Sequence, residues 1–241
     1  MHPTGQVIHA SKVGSGVSSN LSPDAFNYDD CGNLIKKGNK TFETNGWQLS
    51  KMLNEDGSID RSFEYSVDGH LTSKLDAAGR TVKSMKYDTQ GRLLDVDGTS
   101  FVYDYTGQLL KVTLKNGDVT YYPNSAYEAA IPTGSSVLTH TAYLIANGRH
   151  ASCTTEDQNM DSAVYYYHTD HLGSVIAVSG GDGSIDTTYS YDTFGKATVQ
   201  GPDVSRYKYS DKEMFEGLYY FGARFYDPDV CFVFTSFGPS G

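Results

Sequence analysis

His168, Asp170 and His171 stand almost side by side in the run Tyr165-Tyr166-Tyr167-His168-Thr169-Asp170-His171-Leu172-Gly173-Ser174-Val175. Imidazoles change charge near neutral pH, and with a carboxylate beside them they could pass a proton or hold a metal ion. On a strand, however, positions 168 and 171 face opposite ways, which argues against a shared ligand set. Asp192 lies in Tyr189-Ser190-Tyr191-Asp192-Thr193-Phe194-Gly195 and is a further candidate proton donor or acceptor. Arg224 sits inside the aromatic run Tyr219-Tyr220-Phe221-Gly222-Ala223-Arg224-Phe225-Tyr226, where a guanidinium is expected to be buried, paired or stacked on a ring. Asp227 precedes Pro228. That bond is chemically labile, so fragmentation there would not by itself demonstrate catalysis. No serine occupies a nucleophile elbow, and no glycine loop with a lysine could cradle phosphate. Neither a cofactor nor a metal is expected.

The elements that carry these residues are built by repetition. An aromatic residue or leucine, followed four residues later by glycine, recurs from positions 28, 42, 53, 65, 75, 87 and 103. The clearest copies are Tyr28-Asp29-Asp30-Cys31-Gly32-Asn33-Leu34, Tyr87-Asp88-Thr89-Gln90-Gly91-Arg92-Leu93 and Tyr103-Asp104-Tyr105-Thr106-Gly107-Gln108-Leu109. So short a period is one strand plus one turn. Tyrosine closes a strand, aspartate bonds nearby amides in the turn, glycine takes the positive φ, and leucine opens the next strand. Asp-Gly at 56–57, 68–69, 97–98 and 182–183, and Asn-Gly at 45–46, 116–117 and 147–148, mark further hairpins. Alternation places Phe101, Tyr103 and Tyr105 on one face, Tyr189 with Tyr191, and Tyr207 with Tyr209. The fold class is antiparallel all-β with minimal helix, the best helical candidate being Ser210–Glu216.

Composition agrees, with 19 Tyr, 11 Phe and 25 Gly in 241 residues. Three parts are expected: residues 1–27 as an irregular lead-in or plug, 28–122 as repeat hairpins, and 123–241 as a denser aromatic segment continuous with the same sheet. Pro123 to Pro132 is read as an interruption, and Ser152–Asp161 as a polar surface loop. A net charge of −10 without a basic stripe speaks against nucleic acid as a partner. No apolar run is long enough to span a membrane, and the first residues lack the pattern of a secretory signal. Localisation is therefore cytoplasmic or by a signal-independent route. Cys31, Cys153 and Cys231 fit no disulfide framework and are expected as isolated buried thiols.

The blocks Tyr165–Val175 and Tyr189–Gly195, with Gly217-Leu218-Tyr219-Tyr220-Phe221-Gly222-Ala223-Arg224-Phe225-Tyr226-Asp227-Pro228, resemble the RHS (YD-repeat) core domain. With the upstream repeats, the resemblance covers roughly residues 28 to 238. It implies a β-sheet strip wound into a hollow shell, of which a chain this short would make a small, barrel-like curl. It also implies a core block that often acts as an aspartyl autoprotease releasing an enclosed toxin. In those terms Asp192 aligns with an upstream family aspartate, Arg224 supports the cleavage site, and His168 and Asp170 serve a structural turn. Two departures stand out. Cys231-Phe232 replaces the expected Gly-Arg, and Phe237-Gly238 replaces the expected Asp-Pro. Autocleavage, which needs carboxylates of matched pKa at the scissile bond, is therefore expected to be lost. With the sequence ending at Gly241, no toxin is expected to follow.

Three functions are open on these residues. One is a β-shell scaffold or remnant of a toxin-delivery system, enclosing a protein cargo. Another is a small-molecule enzyme of cyclase or isomerase type, holding an apolar ligand in an aromatic interior, with His168, Asp170, His171, Asp192 or tyrosines as proton donors. The third is an adhesin that binds glycans through exposed aromatics.

Overall fold

A computed structural model describes residues 9–10, 24–157, 159, 161–222 and 224–234. The expected plug within 1–27 falls mostly outside the described residues, as does the Phe237-Gly238 replacement. The fold class is as expected: antiparallel strands throughout, and among the described residues a single helical turn, Tyr209–Asp211.

The chain divides after Ser84 into two units, the division falling within strand Thr81–Tyr87. In the first unit each strand pairs antiparallel with its sequence neighbour, from Asp24–Tyr28 through Leu71–Asp76 to the start of Thr81–Tyr87. Phe26, Phe42, Leu49, Phe63 and Leu71 form its buried face. The second unit continues the same meander from Leu93–Val96 to Ala197–Gln200. A separate four-stranded sheet follows, made of Glu213–Phe215, Leu218–Tyr220, Phe225–Asp227 and Phe232–Phe234. It packs on the larger sheet of this unit: Phe101 meets Phe215 and Phe225 edge-on at 5.3 and 5.2 Å.

The repeat has a concrete geometry. In Tyr87–Leu93 the Asp88 N–H bonds the Arg92 carbonyl and the Gly91 N–H bonds the Asp88 carbonyl, closing a turn whose glycine has φ +77. The extra residue makes a bulge, so the register shifts at the tyrosine and Tyr87 pairs directly with Leu93. Tyr28 with Leu34, Tyr65 with Leu71, and Tyr103 with Leu109 do the same. The six-residue spacing of tyrosine and leucine is thus the spacing of cross-strand partners. In three of the tyrosines that close a strand, the hydroxyl reaches a backbone carbonyl one hairpin back, which phenylalanine could not do. Tyr65 donates to Leu49, Tyr103 to Leu93 and Tyr191 to Val175, at 2.9, 2.9 and 2.6 Å.

Several local expectations are corrected. Phe42 does not begin a repeat of this kind, since its hairpin closes tightly at Asn45 and Gln48. Tyr105 leaves the face of Phe101 and Tyr103, because the turn begins at Asp104, and its side chain is exposed. Val119–Asn124 and Tyr127–Ile131 pair across the supposed interruption at 123–132. Ser152 to Glu156 belong to strand Arg149–Glu156, paired on both sides, and only the turn beyond Glu156 is loop. The helix expected at Ser210–Glu216 is absent: Ser210 and Asp211 have φ +51 and +58, and Glu213 begins a strand. Cys153 is buried, but Cys31 is exposed and Cys231 lies between; none of the three is in a disulfide.

Candidate functional site

Only some of the residues singled out from sequence come near one another: Asp170 and Asp192 both act on Tyr209, which lines a second cavity with Arg224. Asp170 and Asp192 occupy the aspartate position of the repeat turn. The Oδ1 of Asp170 accepts the N–H groups of Leu172 and Ser174 at 2.9 and 2.8 Å, and that of Asp192 accepts Phe194 and Lys196 at 2.9 Å each. Asp29, Asp88 and Asp104 make the same pair of bonds, two and four residues on. His168 is exposed, with Nε2 2.9 Å from Ser179 Oγ. His171 is also exposed, and its carbonyl accepts from Arg149. Arg224 is exposed rather than buried, since it lies in the turn between Leu218–Tyr220 and Phe225–Asp227, where a guanidinium keeps hydration that burial would strip away. Asp227 is buried and accepts the Asp229 N–H at 2.9 Å. The structure does bring the Asp192 turn against the small sheet, where the Tyr226 and Tyr219 hydroxyls bond the Phe194 and Gly195 carbonyls. Among the described residues, no three His, Cys, Asp or Glu side chains could together hold a metal ion, and no helix is long and apolar enough to cross a membrane.

A different group, missed by sequence reasoning, does converge. Within the second unit a cavity of about 900 Å³ opens between the larger sheet and the segment 207–222. Tyr103, Tyr122, Tyr127, Tyr143, Tyr207 and Tyr220 line it, together with Glu128, His150, Asp211 and Glu213. Arg206 stands at the centre of the polar end. Its Nε lies 3.3 Å from Glu128 Oε1, its Nη1 3.1 Å from both Glu213 Oε1 and the Tyr122 hydroxyl, and its Nη2 2.9 Å from Thr120 Oγ1. Burial pushes the Glu213 carboxyl up to about 7, against the opposing pull of the Arg206 charge. Burial raises Glu128 as well.

Beside this group His150 stacks on Tyr207 at 3.7 Å, and its Nδ1 lies 3.0 Å from Asp211 Oδ2. The Asp211 carboxylate also accepts the His150 N–H, at 3.2 Å. The left-handed backbone at Ser210 and Asp211, costing about 1–3 kcal/mol per residue, is held there by these bonds and by Ser210 N–H on Ser174 Oγ at 3.1 Å. Of the buried side-chain atoms in this group, Glu128 Oε2 and His150 Nε2 have no hydrogen-bond partner, although the Tyr143 hydroxyl lies near the Glu128 carboxyl. The sequence signal for this group was weak. Glu128 is one acidic residue in the apolar strand Tyr127–Ile131, and Arg206 is one cation before two tyrosines.

Set against known structures, the chain superposes over 99% of its length on 16% of the chain in a crystal structure of TcdB2-TccC3 without its hypervariable C-terminal region, with a TM-score of 0.56 at 16% identity. The likeness shows the fold, which is that of the matched stretch of this structure. No protein-family model matches the chain. It is 28% identical over 232 residues to a tRNA3(Ser)-specific nuclease WapA of Bacillus spizizenii, covering 89% of this chain and 9% of that protein. It is 24% identical over 272 residues to the double-stranded DNA deaminase toxin A of Burkholderia cenocepacia, covering 85% of this chain and 18% of that protein. The chain thus spans less than a fifth of the curated relatives it matches.

These relatives overturn the exclusion of nucleic acid drawn from charge. Both are named for action on nucleic acids, and the net charge of a segment spanning 9% or 18% of such a protein does not report on the partners of the whole.

Proposed function

We propose that this chain is a β-scaffold segment of an RHS-type toxin system, that it carries no toxic chemistry itself, and that it does not cleave its own backbone. One observation carries the scaffold reading. The same segment aligns over most of its length with a tRNA nuclease and with a double-stranded DNA deaminase. Cutting an RNA backbone and deaminating a DNA base need different machinery, so what the two proteins share is not what makes each toxic. Fold likeness to a structure that lacks its hypervariable region points the same way.

Loss of autocleavage is supported by the state of the aspartates. Asp192 and Asp227 each accept a backbone amide within their own turn. A cleaving pair instead needs its carboxyls turned to the scissile bond. We assign Asp170, Asp192 and Asp227 to turn geometry on this basis.

The test is direct. Purified protein is incubated for days at pH 5 to 8 and its intact mass followed; the chain is expected to stay whole at 26.4 kDa. A specific cut near residue 230, lost in Asp192→Asn, would refute the non-cleaving assignment. The same protein is then given tRNA and double-stranded DNA, and neither should be cut or deaminated. Turnover of either by the wild-type chain, abolished by a single substitution, would overturn the scaffold reading.

A further inference from the structure

We propose that the tyrosine-walled cavity of the second unit binds a small organic cation, an ammonium or guanidinium whose N–H groups reach Glu128 Oε2 and His150 Nε2. The inference is independent of the scaffold reading and rests on the cavity alone.

The first argument is the kind of atom left without a partner. Buried polar atoms are nearly always paired, so each exception calls for an explanation. Glu128 Oε2 is one exception, on a residue that is only 4% exposed. His150 Nε2 is another, on a residue 9% exposed. With Nδ1 3.0 Å from the Asp211 carboxylate, the neutral imidazole carries its proton on Nδ1, which leaves Nε2 a lone pair. Glu128 Oε2 is an acceptor, as is His150 Nε2 in that tautomer, and both belong to residues lining one cavity. The complementary ligand is a donor.

Charge sharpens this to a cation. At the polar end Arg206 answers two carboxylates, Glu128 and Glu213, with one positive charge. Asp211 accepts the backbone N–H of His150 and faces its Nδ1. Arg92 and Lys212 also line the cavity. Arg92 is held by the Asp88 carboxylate at 2.6 Å and the Asp104 carbonyl at 3.0 Å, and Lys212 Nζ lies over the Phe221 ring. The remaining wall is tyrosine, whose ring faces attract cations and whose edges cover an apolar substituent. An anion would meet the carboxylates. A neutral apolar molecule would leave both acceptors unanswered. The Tyr143 ring packs edge-on against His150 at 4.9 Å.

The probes are benzylamine, benzyl alcohol and benzoate, which share a ring and differ in the polar group. Each is titrated into the full chain by calorimetry and by ligand-observed NMR. Benzylamine is expected to bind, with benzyl alcohol and benzoate at least about tenfold weaker, as a charge-assisted bond to a desolvated carboxylate implies. Glu128→Gln and His150→Phe should each weaken benzylamine by a similar factor, whereas Glu64→Gln, on the exposed face of its strand, should not. Equal affinity for amine and alcohol would overturn the proposal, leaving only an apolar pocket. Binding unaffected by Glu128→Gln, or absence of binding to wild-type protein, would also overturn it. Should the variants fail to fold, a diazirine-bearing benzylamine is photolysed on wild-type protein. Labelling of Tyr143, Tyr207 or their neighbours supports the site, and labelling confined elsewhere refutes it.

Discussion

Tyr122 and Glu213, 91 positions apart in the chain, meet through a 2.8 Å hydrogen bond in which the phenol donates to the buried carboxylate. The bond ties the larger sheet of the second unit to the first strand of its small sheet, and Arg206 closes it on the other side. Removing the hydroxyl in Tyr122→Phe leaves the carboxylate short of a donor in a place where water does not replace it. We expect a loss of about 1–3 kcal/mol in urea unfolding. A change within a few tenths would mean that Arg206 satisfies Glu213 unaided.

The same carboxyl sets a pH dependence. Burial raises Glu213 from an ordinary 4.5 to about 7 in the folded state. A group raised in this way contributes stability that is complete below 4.5 and is lost as pH climbs through about 7. The turn aspartates act in the opposite sense. Hydrogen bonds, first among them those from Ser58, Thr106 and Ser184, lower Asp56, Asp104 and Asp182 below 3.8. Their contribution is present above 3.8 and lost as pH falls through the lowered folded values. The thermal midpoint should therefore peak at about pH 4–5, and Glu213→Gln should flatten the decline between 4.5 and 7. A wild-type midpoint that rises steadily to pH 7 would contradict this assignment.

Asp104 tests what the repeat aspartate is for. Its Oδ1 accepts the amides of Thr106 and Gln108 and the Thr106 hydroxyl, at 2.8, 2.9 and 2.7 Å. If acceptor geometry matters more than charge, Asp104→Asn keeps most of the stability and Asp104→Ala loses clearly more. Equal losses from both, measured by chemical denaturation, would assign the effect to charge.

Two glycines of the second unit separate conformation from space. Gly107 has φ +88, and a methyl added there would meet nothing within 4 Å, so Gly107→Ala pays only the left-handed backbone, about 1–2 kcal/mol. Gly201 has φ +96, and its methyl would lie 2.5 Å from the Asp186 carbonyl oxygen. Gly201→Ala should cost clearly more and also disturb the pairing of Ile185–Tyr191 with Ala197–Gln200. Hydrogen exchange at Tyr189 and Val199 reads that disturbance.

Thiol reactivity should follow burial. Cys31 is exposed and should react with a disulfide reagent within seconds to minutes in native protein. Cys153 is buried, its pKa raised by burial, and its thiol lies 3.2 Å from the Tyr167 hydroxyl. It should react only after denaturant is added. Fast labelling of Cys153 would show that strands Arg149–Glu156 and Ser162–Thr169 open readily.

The hairpins were legible in the sequence because each is decided within seven residues. Tyrosine and leucine are cross-strand partners, aspartate bonds amides two and four residues on, and glycine supplies the one positive φ. None of that needs the rest of the chain. The turn bonds of Asp170 and Asp192 were legible for the same reason, since each stands at the aspartate position of that unit. Glu128, His150, Arg206, Asp211 and Glu213 were not, because no local pattern joins them. His150 and Asp211 are 61 residues apart, and Tyr122 and Glu213 are 91 apart. Their charges belong together only after the small sheet has packed on the larger one and excluded water between them. Local geometry is written in neighbouring residues. Burial, and with it the unpaired acceptors and the raised carboxyls, is a property of the packed chain alone.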